Sequence, residues 1–246
     1  SDEQKTIDSF TTITEGIYSV DYYGDYKVDE YISANIQDIQ GMDLWLTTTL
    51  THNVPTGNLK DFGCSSFAVL GDNGDHFFGR NYDLYSGESL VVRTAPENGY
   101  ASIGIVDMNH LNLYKGSYTI DSEEGKLLLL AAPWCICDGI NEMGLGMSIL
   151  QLDEVHVVTD TEKNDLMIYA ATRVVLDKCA NIDEAIELLS SFDMFSPKTC
   201  TYHFFLTDTS GRSVIVEWNE GEFYVVDDTA VTTFIFSTSC KIVFHI

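Results

Sequence analysis

From Cys64 onward, apolar residues fall in short runs bounded by turn residues, a rhythm that predicts strands. "SFAVL" and "HFFGRN", joined by the turn "GDNGD", read as a hairpin. "SLVVRTAP" and "YASIGIVDM" continue the strands, and "CDGINEMGLGMSIL" reads as a second hairpin turning at Asn141 to Gly144. The period then changes. "EKNDLMIYAATRVVLDKCA" sets Leu166, Tyr169, Ala170, Arg173, Val174 and Leu176 in helical register. "NIDEAIELLSSF" is a second amphipathic helix, with Asn181 or Asp183 as its N-cap. "TYHFFLTD", "SVIVEWN" and "EFYVVDD" return to strands, and "AVTTFIFS" is the last of them. Strands, two helices and strands again predict an α+β layered architecture.

Residues 1–63 read differently. A strand-like start gives way to a helical stretch with Ile32, Ile36 and Ile39 on one face, and "THNVPTGNLKDFG" is a loop rich in turn residues. The whole chain of 246 residues, 45% of them hydrophobic, suits one sizeable globular domain. Its longest apolar stretch, "LLLLAAPW", is too short to span a bilayer. Charge narrows the partners: 38 acidic against 13 basic residues leave a net −25, a surface that repels nucleic acid and anionic membranes. The six cysteines lack the C-x-x-C spacing of zinc or redox sites, so no metal is expected, and a chain this long with a core of its own is not expected to be a disulfide scaffold.

The chemistry concentrates in "KDFGCSSFAVLGDNGDHFFGRNYDL". If Cys64 begins one strand of the hairpin and "GRNYD" ends the other, Arg80 and Asp83 come beside the thiol. A guanidinium there favours thiolate. An aspartate is an odd neighbour for a thiolate, but a fitting one for a free α-amine on residue 64. That amine appears only if the Gly63–Cys64 bond is cut. The Cys64 thiol can attack the Gly63 carbonyl, water can release the thioester, and glycine at 63 permits the strained backbone this needs. The new α-amine then serves as base for its own thiol.

On these residues the chain resembles the choloylglycine hydrolase/linear amide C–N hydrolase group of N-terminal nucleophile hydrolases, in its internally processed cysteine branch. The likeness is carried by "GCSSF…FFGRNYDL", "DGINEMGLGMSIL" and "YHFFLTDTSGRSVIVEW", with "TAPENGYAS" in support. The resemblance implies a four-layer αββα fold in residues 64–246, with residues 1–63 as a propeptide or small retained subunit. It implies Cys64 as nucleophile, Arg80 beside the thiol and scissile carbonyl, and Asp83 on the α-amine. Gln151 falls where the family places an oxyanion-donating amide, a contribution of about 3 kcal/mol. Thr233 stands where relatives commonly carry an asparagine, a second oxyanion donor. The chain stops at "CKIVFHI", where relatives continue, so a fold incomplete at its C-terminal side or a compact branch is expected.

The implied reaction is hydrolysis of a linear amide in a small N-acyl compound (an N-acyl amino acid or amine, a conjugated bile acid, or penicillin V) through a thioester, with no metal and no cofactor. Phe67, Tyr82 and Tyr85 are candidates to line the acyl pocket. Two other readings stay open: an acyltransferase with an amine or thiol acceptor, and an inactive binding module. Homo-oligomerisation is also open, and a secreted or cell-surface bacterial protein with a trimmed signal is expected ahead of a cytoplasmic one.

Overall fold

The hairpin at Cys64 forms as its pattern predicts, β3 (Gly63–Leu70) pairing antiparallel with β4 (His76–Asp83). The computed structural model describes residues 1–57, 63–83, 87–152, 162–196, 201–219, 221–233 and 236. With β14 (Ala230–Val231), the hairpin makes a small sheet in the order β14-β3-β4. The other strands of the large sheet come from along the whole chain. They are β1 (Thr11–Thr14), β2 (Ile17–Tyr22), β5 (Ser89–Thr94), β6 (Ser102–Asp107), β7 (Ile136–Asn141), β8 (Gly146–Leu152), β11 (Thr201–Thr207), β12 (Ser213–Asn219) and β13 (Glu222–Asp227). Among the described residues these nine lie side by side in chain order, antiparallel except where β2 runs parallel to β5.

The small sheet packs against the middle of the large one. Ser66 Oγ and Ser148 Oγ meet at 2.9 Å across the gap, and the rings of Phe78 and Phe205 stack with centroids 6.2 Å apart. On the other face of the large sheet lie α5 (Ile168–Lys178) and α6 (Ile182–Ser190). Gly139 in β7 lets α5 approach closely, for a Cβ there would sit 2.9 Å from Leu176 Cδ1. Asn181 caps α6 by accepting from Glu184 N, one of the two residues expected for that role. The architecture is α+β, with a helix layer on a sheet on a sheet.

Two local predictions need correction. The helical stretch around Ile32 is two helices, α2 (Val28–Ala34) and α3 (Ile39–Thr49). Asn35 breaks it in the left-handed region at φ 47°, and its side chain accepts from Asp165 N at 2.6 Å. The helix expected from Glu162 begins only at Ile168. Before it, β9 (Asp165–Met167) pairs in parallel with β10 (Asp193–Phe195), and that tertiary pairing overrides the local helical period. The run "LLLLAAPW" has no period at all. It ends α4 (Glu123–Leu128) and forms a buried 3-10 helix, Leu129–Cys135.

Residues 1–57 are built into this body. After α1 (Asp2–Asp8), β1 and β2 extend the large sheet, and Tyr26, Tyr31, Met42, Leu46 and Leu50 join the main core. Trp134 Nε1 donates to the Tyr26 carbonyl at 2.8 Å, and the Tyr26 hydroxyl meets both Asp177 carboxylate oxygens at 2.9 Å. Among the described residues, no helix is long and apolar enough to cross a membrane.

Candidate active site

Strand alternation decides which side chains meet. In the β3–β4 ladder Cys64 stands opposite Tyr82 and Ser66 opposite Arg80, so all four point toward the large sheet. Arg80 Nη2 donates to Cys64 Sγ at 2.8 Å, and Nη1 donates to the Cys137 carbonyl at 2.8 Å. Its Nε lies 3.4 Å from Asp138 Oδ2, and its guanidinium sits 5.0 Å from the centre of the Tyr82 ring. The Arg80 side chain is only 5% exposed. Burial works against its charge, but Asp138, Cys64 and Cys137 more than offset this and raise its pKa.

The thiol differs from the sequence expectation. Burial pushes the Cys64 pKa up, Arg80 pulls it down, Asp138 and Asp83 add to the rise, and the balance lies above the ordinary value. Desolvation outweighs the guanidinium. Burial at this position therefore favours the thiol over the thiolate.

Asp83 stands opposite Gly63 in the ladder, on the outer face with Asn81, whose Nδ2 donates to it at 2.7 Å. It therefore lies beside the Gly63–Cys64 peptide and across the strand from the thiol. Phe67, also out of phase with Cys64, is 46% exposed on the outer face over Gly79 and does not reach the thiol. Tyr82 does share the inner face, while Tyr85 lies outside the described residues. Gln151 pairs with Tyr202, whose hydroxyl bonds that of Tyr169 on α5. Alternation from Ser148 thus turns Gln151 toward the helices and away from Cys64. Thr233 is half-buried, two residues past Val231, which pairs with Ser66 of β3. The strand expected through "AVTTFIFS" is ordered as a strand only at Ala230–Val231, and residues 234, 235 and 237 lie outside the description.

Two features escaped the sequence reading. Asp138 is the partly buried partner of Arg80; desolvation raises its pKa and Arg80 opposes the rise. The signal available was a carboxylate at an inward-facing strand position, just before the glycine of "CDG". The second is a fully buried pair, His203 Nδ1 at 2.9 Å from Glu217 Oε1. Glu217 also accepts from Phe236 N at 2.9 and 3.1 Å. Asn141, read as setting hairpin geometry, does so. Its Oδ1 accepts from Met143 N and Leu145 N, and its Nδ2 donates to the Leu176 and Cys179 carbonyls.

A buried thiol held by an arginine, in a strand next to a glycine peptide, can attack a carbonyl once it loses its proton. The family model described as linear amide C-N hydrolases, choloylglycine hydrolase family, matches residues 64–234. A penicillin V acylase of Pectobacterium atrosepticum is 31% identical over 96 residues, covering 35% of this chain and 26% of that protein. A mutant of conjugated bile acid hydrolase from Clostridium perfringens superposes with a TM-score of 0.54 and 22% identity, over 71% of this chain and 55% of its own. Penicillin V acylase from Agrobacterium tumefaciens gives a TM-score of 0.40 and 20% identity over 75% of this chain and 49% of its own. The chain therefore spans 26% of the curated relative and about half of these solved structures. The bile acid hydrolase superposition shows the shared N-terminal nucleophile hydrolase fold.

Proposed function

This chain belongs to the choloylglycine hydrolase family of linear amide C-N hydrolases, and on that premise we propose that it is a cysteine N-terminal nucleophile hydrolase that matures by cutting itself at Gly63–Cys64. The observation that carries the reading is the hydrogen bond from Arg80 Nη2 to Cys64 Sγ at 2.8 Å, inside the matched segment. In maturation the thiol loses its proton and attacks the Gly63 carbonyl carbon. The C–N bond breaks, the nitrogen leaves as the α-amine of Cys64, and Gly63 is held as a thioester. Water hydrolyses the thioester, leaving a carboxylate on Gly63 and a free thiol on an N-terminal cysteine.

In turnover the α-amine takes the thiol proton, the thiolate attacks an N-acyl amide, and the proton passes to the departing amine. Water then releases the acid. Arg80 steadies the sulfur throughout, and Asp83, beside the cut peptide, is placed to hold the new ammonium. Thr233, two residues past the end of β14, is the candidate oxyanion donor, supported by the pairing of Val231 with Ser66 of β3. Gln151 enters that role only if the end of β8 turns. Residues 1–57 supply strands and core side chains, which supports a retained subunit over a released propeptide. The substrate class is a small N-acyl amide, with penicillin V and conjugated bile acids, named for the relatives, as first trials.

Intact mass and N-terminal sequencing of the purified chain, beside a Cys64→Ala control, test this. The expected result is a fragment beginning at Cys64 in the wild type alone, with both fragments eluting together, followed by amide hydrolysis. A wild type that stays whole across pH and reductant overturns the reading.

A further inference from the structure

Beyond the edge of the small sheet, the gap between the sheets opens into a cavity of about 240 Å³. Ile105, Asp107 and Asp138 of the large sheet form its floor, Cys137 and Tyr82 its wall, and Glu88 its rim. Register puts Asp107, Ile105 and Asp138 on one face: Asp107 and Ile105 are two apart in β6, and Ile105 pairs with Asp138. Asp138 is the same carboxylate that meets Arg80 at 3.4 Å, so the cavity lies on the far side of Arg80 from the Cys64 thiol.

Asp107 is the unusual member. It is 6% exposed, and its Oδ1 accepts both Asn109 N and Asn109 Nδ2, at 2.9 and 2.8 Å. Its Oδ2 is buried with no hydrogen-bond partner among the described residues. A buried carboxylate oxygen left unpaired carries a desolvation cost that structures ordinarily relieve with a donor. Gly87 stands over this carboxylate, and a Cβ there would begin 3.4 Å from Oδ2. The approach is thus kept free by the lack of a side chain at Gly87. The carboxylates of Asp107 and Asp138 border the space, and Arg80 neutralises Asp138.

The surplus is negative and the missing partner is a donor. Among the described residues no group of three His, Cys, Asp or Glu side chains is close enough to hold a metal ion. We propose that this cavity binds a small organic cation through a primary ammonium placed on Asp107 Oδ2, with Ile105 and Tyr82 packing its short carbon chain. The source is either a free amine or the amine-bearing end of the amide substrate. The second source rests on the proposed hydrolase; the binding site itself does not.

The test is a calorimetric titration of the full chain carrying Cys64→Ala, which cannot turn over, with 1,4-diaminobutane, its mono-N-acetyl derivative, 1,4-butanediol and magnesium. Saturable binding of the diamine, a loss of at least tenfold in Asp107→Asn, and no binding of the diol are expected. Gly87→Leu, which leaves every carboxylate in place and fills the approach, is expected to abolish binding even if Asp107→Asn folds poorly. The mono-acetyl compound binding as well as the diamine identifies the amide substrate as the source; markedly weaker binding identifies a free amine. Equal binding of the diol, displacement of the diamine by magnesium, or full affinity in Gly87→Leu overturns the proposal. Self-cleavage and hydrolysis are read separately in the wild type, so a failed titration and a failed hydrolase remain distinct results.

Discussion

The side chains of Arg80 and Arg173 are both buried, 5% and 0% exposed, yet their partners differ in kind. Arg173, one helical turn from Asp177 on α5, pairs with that carboxylate, donates to Ser102 Oγ at 2.9 Å, and sits 5.1 Å from the centre of the Tyr26 ring. Tyr26 belongs to the N-terminal segment and bonds the same Asp177, so the cluster ties residues before the proposed cut to residues after it. Arg80 has its carboxylate at a longer 3.4 Å and spends a hydrogen bond on a thiol, which is a weak acceptor with little structural worth. One arginine is built for cohesion. The other is built around the thiol proposed as nucleophile.

If that contrast holds, Arg173→Met leaves Asp177 buried without its cation and costs about 3–5 kcal/mol of stability in urea denaturation, while the variant that does fold still cuts itself at the wild-type rate. Arg80→Met shows the converse. Its self-cleavage, followed by fragment appearance on a gel, slows at least about 100-fold, or about 2.7 kcal/mol in barrier. Loss of cleavage in the first variant, or retention in the second, breaks the comparison.

The pH dependence sharpens it. Because burial holds the Cys64 pKa above its ordinary value, the thiolate fraction and the cleavage rate climb with pH through the neutral range without levelling off. An early plateau would mean that Arg80 wins over burial. Tyr26→Phe removes only the hydroxyl to Asp177 and is expected to cost about 2 kcal/mol by the same denaturation measurement.

A carboxylate that meets neither arginine gives the lower bound. Burial works to raise the Asp208 pKa, but bonds from Ser210 and from Ile182 N at the start of α6 outweigh it, and the value is depressed. A depressed carboxylate contributes stability above its unfolded pKa of about 3.9 and loses it as pH falls through the folded value. Asp208→Asn is therefore expected to cost at most about 1 kcal/mol at neutral pH, given solvent screening, with the gap to wild type closing under acid.

The pairing of Cys64 with Arg80 was legible because a hairpin turn of known length converts sequence separation into register, and both positions then share a phase. The same arithmetic was available for Phe67, three residues from Cys64 and hence on the other face, but not for Gln151, whose face follows only from Ser148 meeting Ser66 across the two sheets. Their expected places came from family position and acyl-pocket chemistry, which ignore phase. Asp138 was out of reach. It meets Arg80 only because two sheets stack, and no local period encodes which residues of one sheet face which of the other. The break at Asn35 was equally hidden, since its left-handed turn is secured by Asp165 N from a distant strand. Asn181 as a cap and Asn141 as a turn residue were legible, each bonding backbone within a few residues.

The parallel pairing of β2 with β5 joins Ile17–Tyr22 to Ser89–Thr94 across the Gly63–Cys64 bond. In a continuous chain that pairing is a loop closure, whose entropic cost grows only slowly with length. After the proposed cut the same ladder joins two molecules, and regaining it from the unfolded state carries the translational and rotational cost of association. Refolding then depends on dilution, while the first folding does not. The proposed maturation is thus a one-way ratchet: folding precedes cutting, and the path back has become bimolecular.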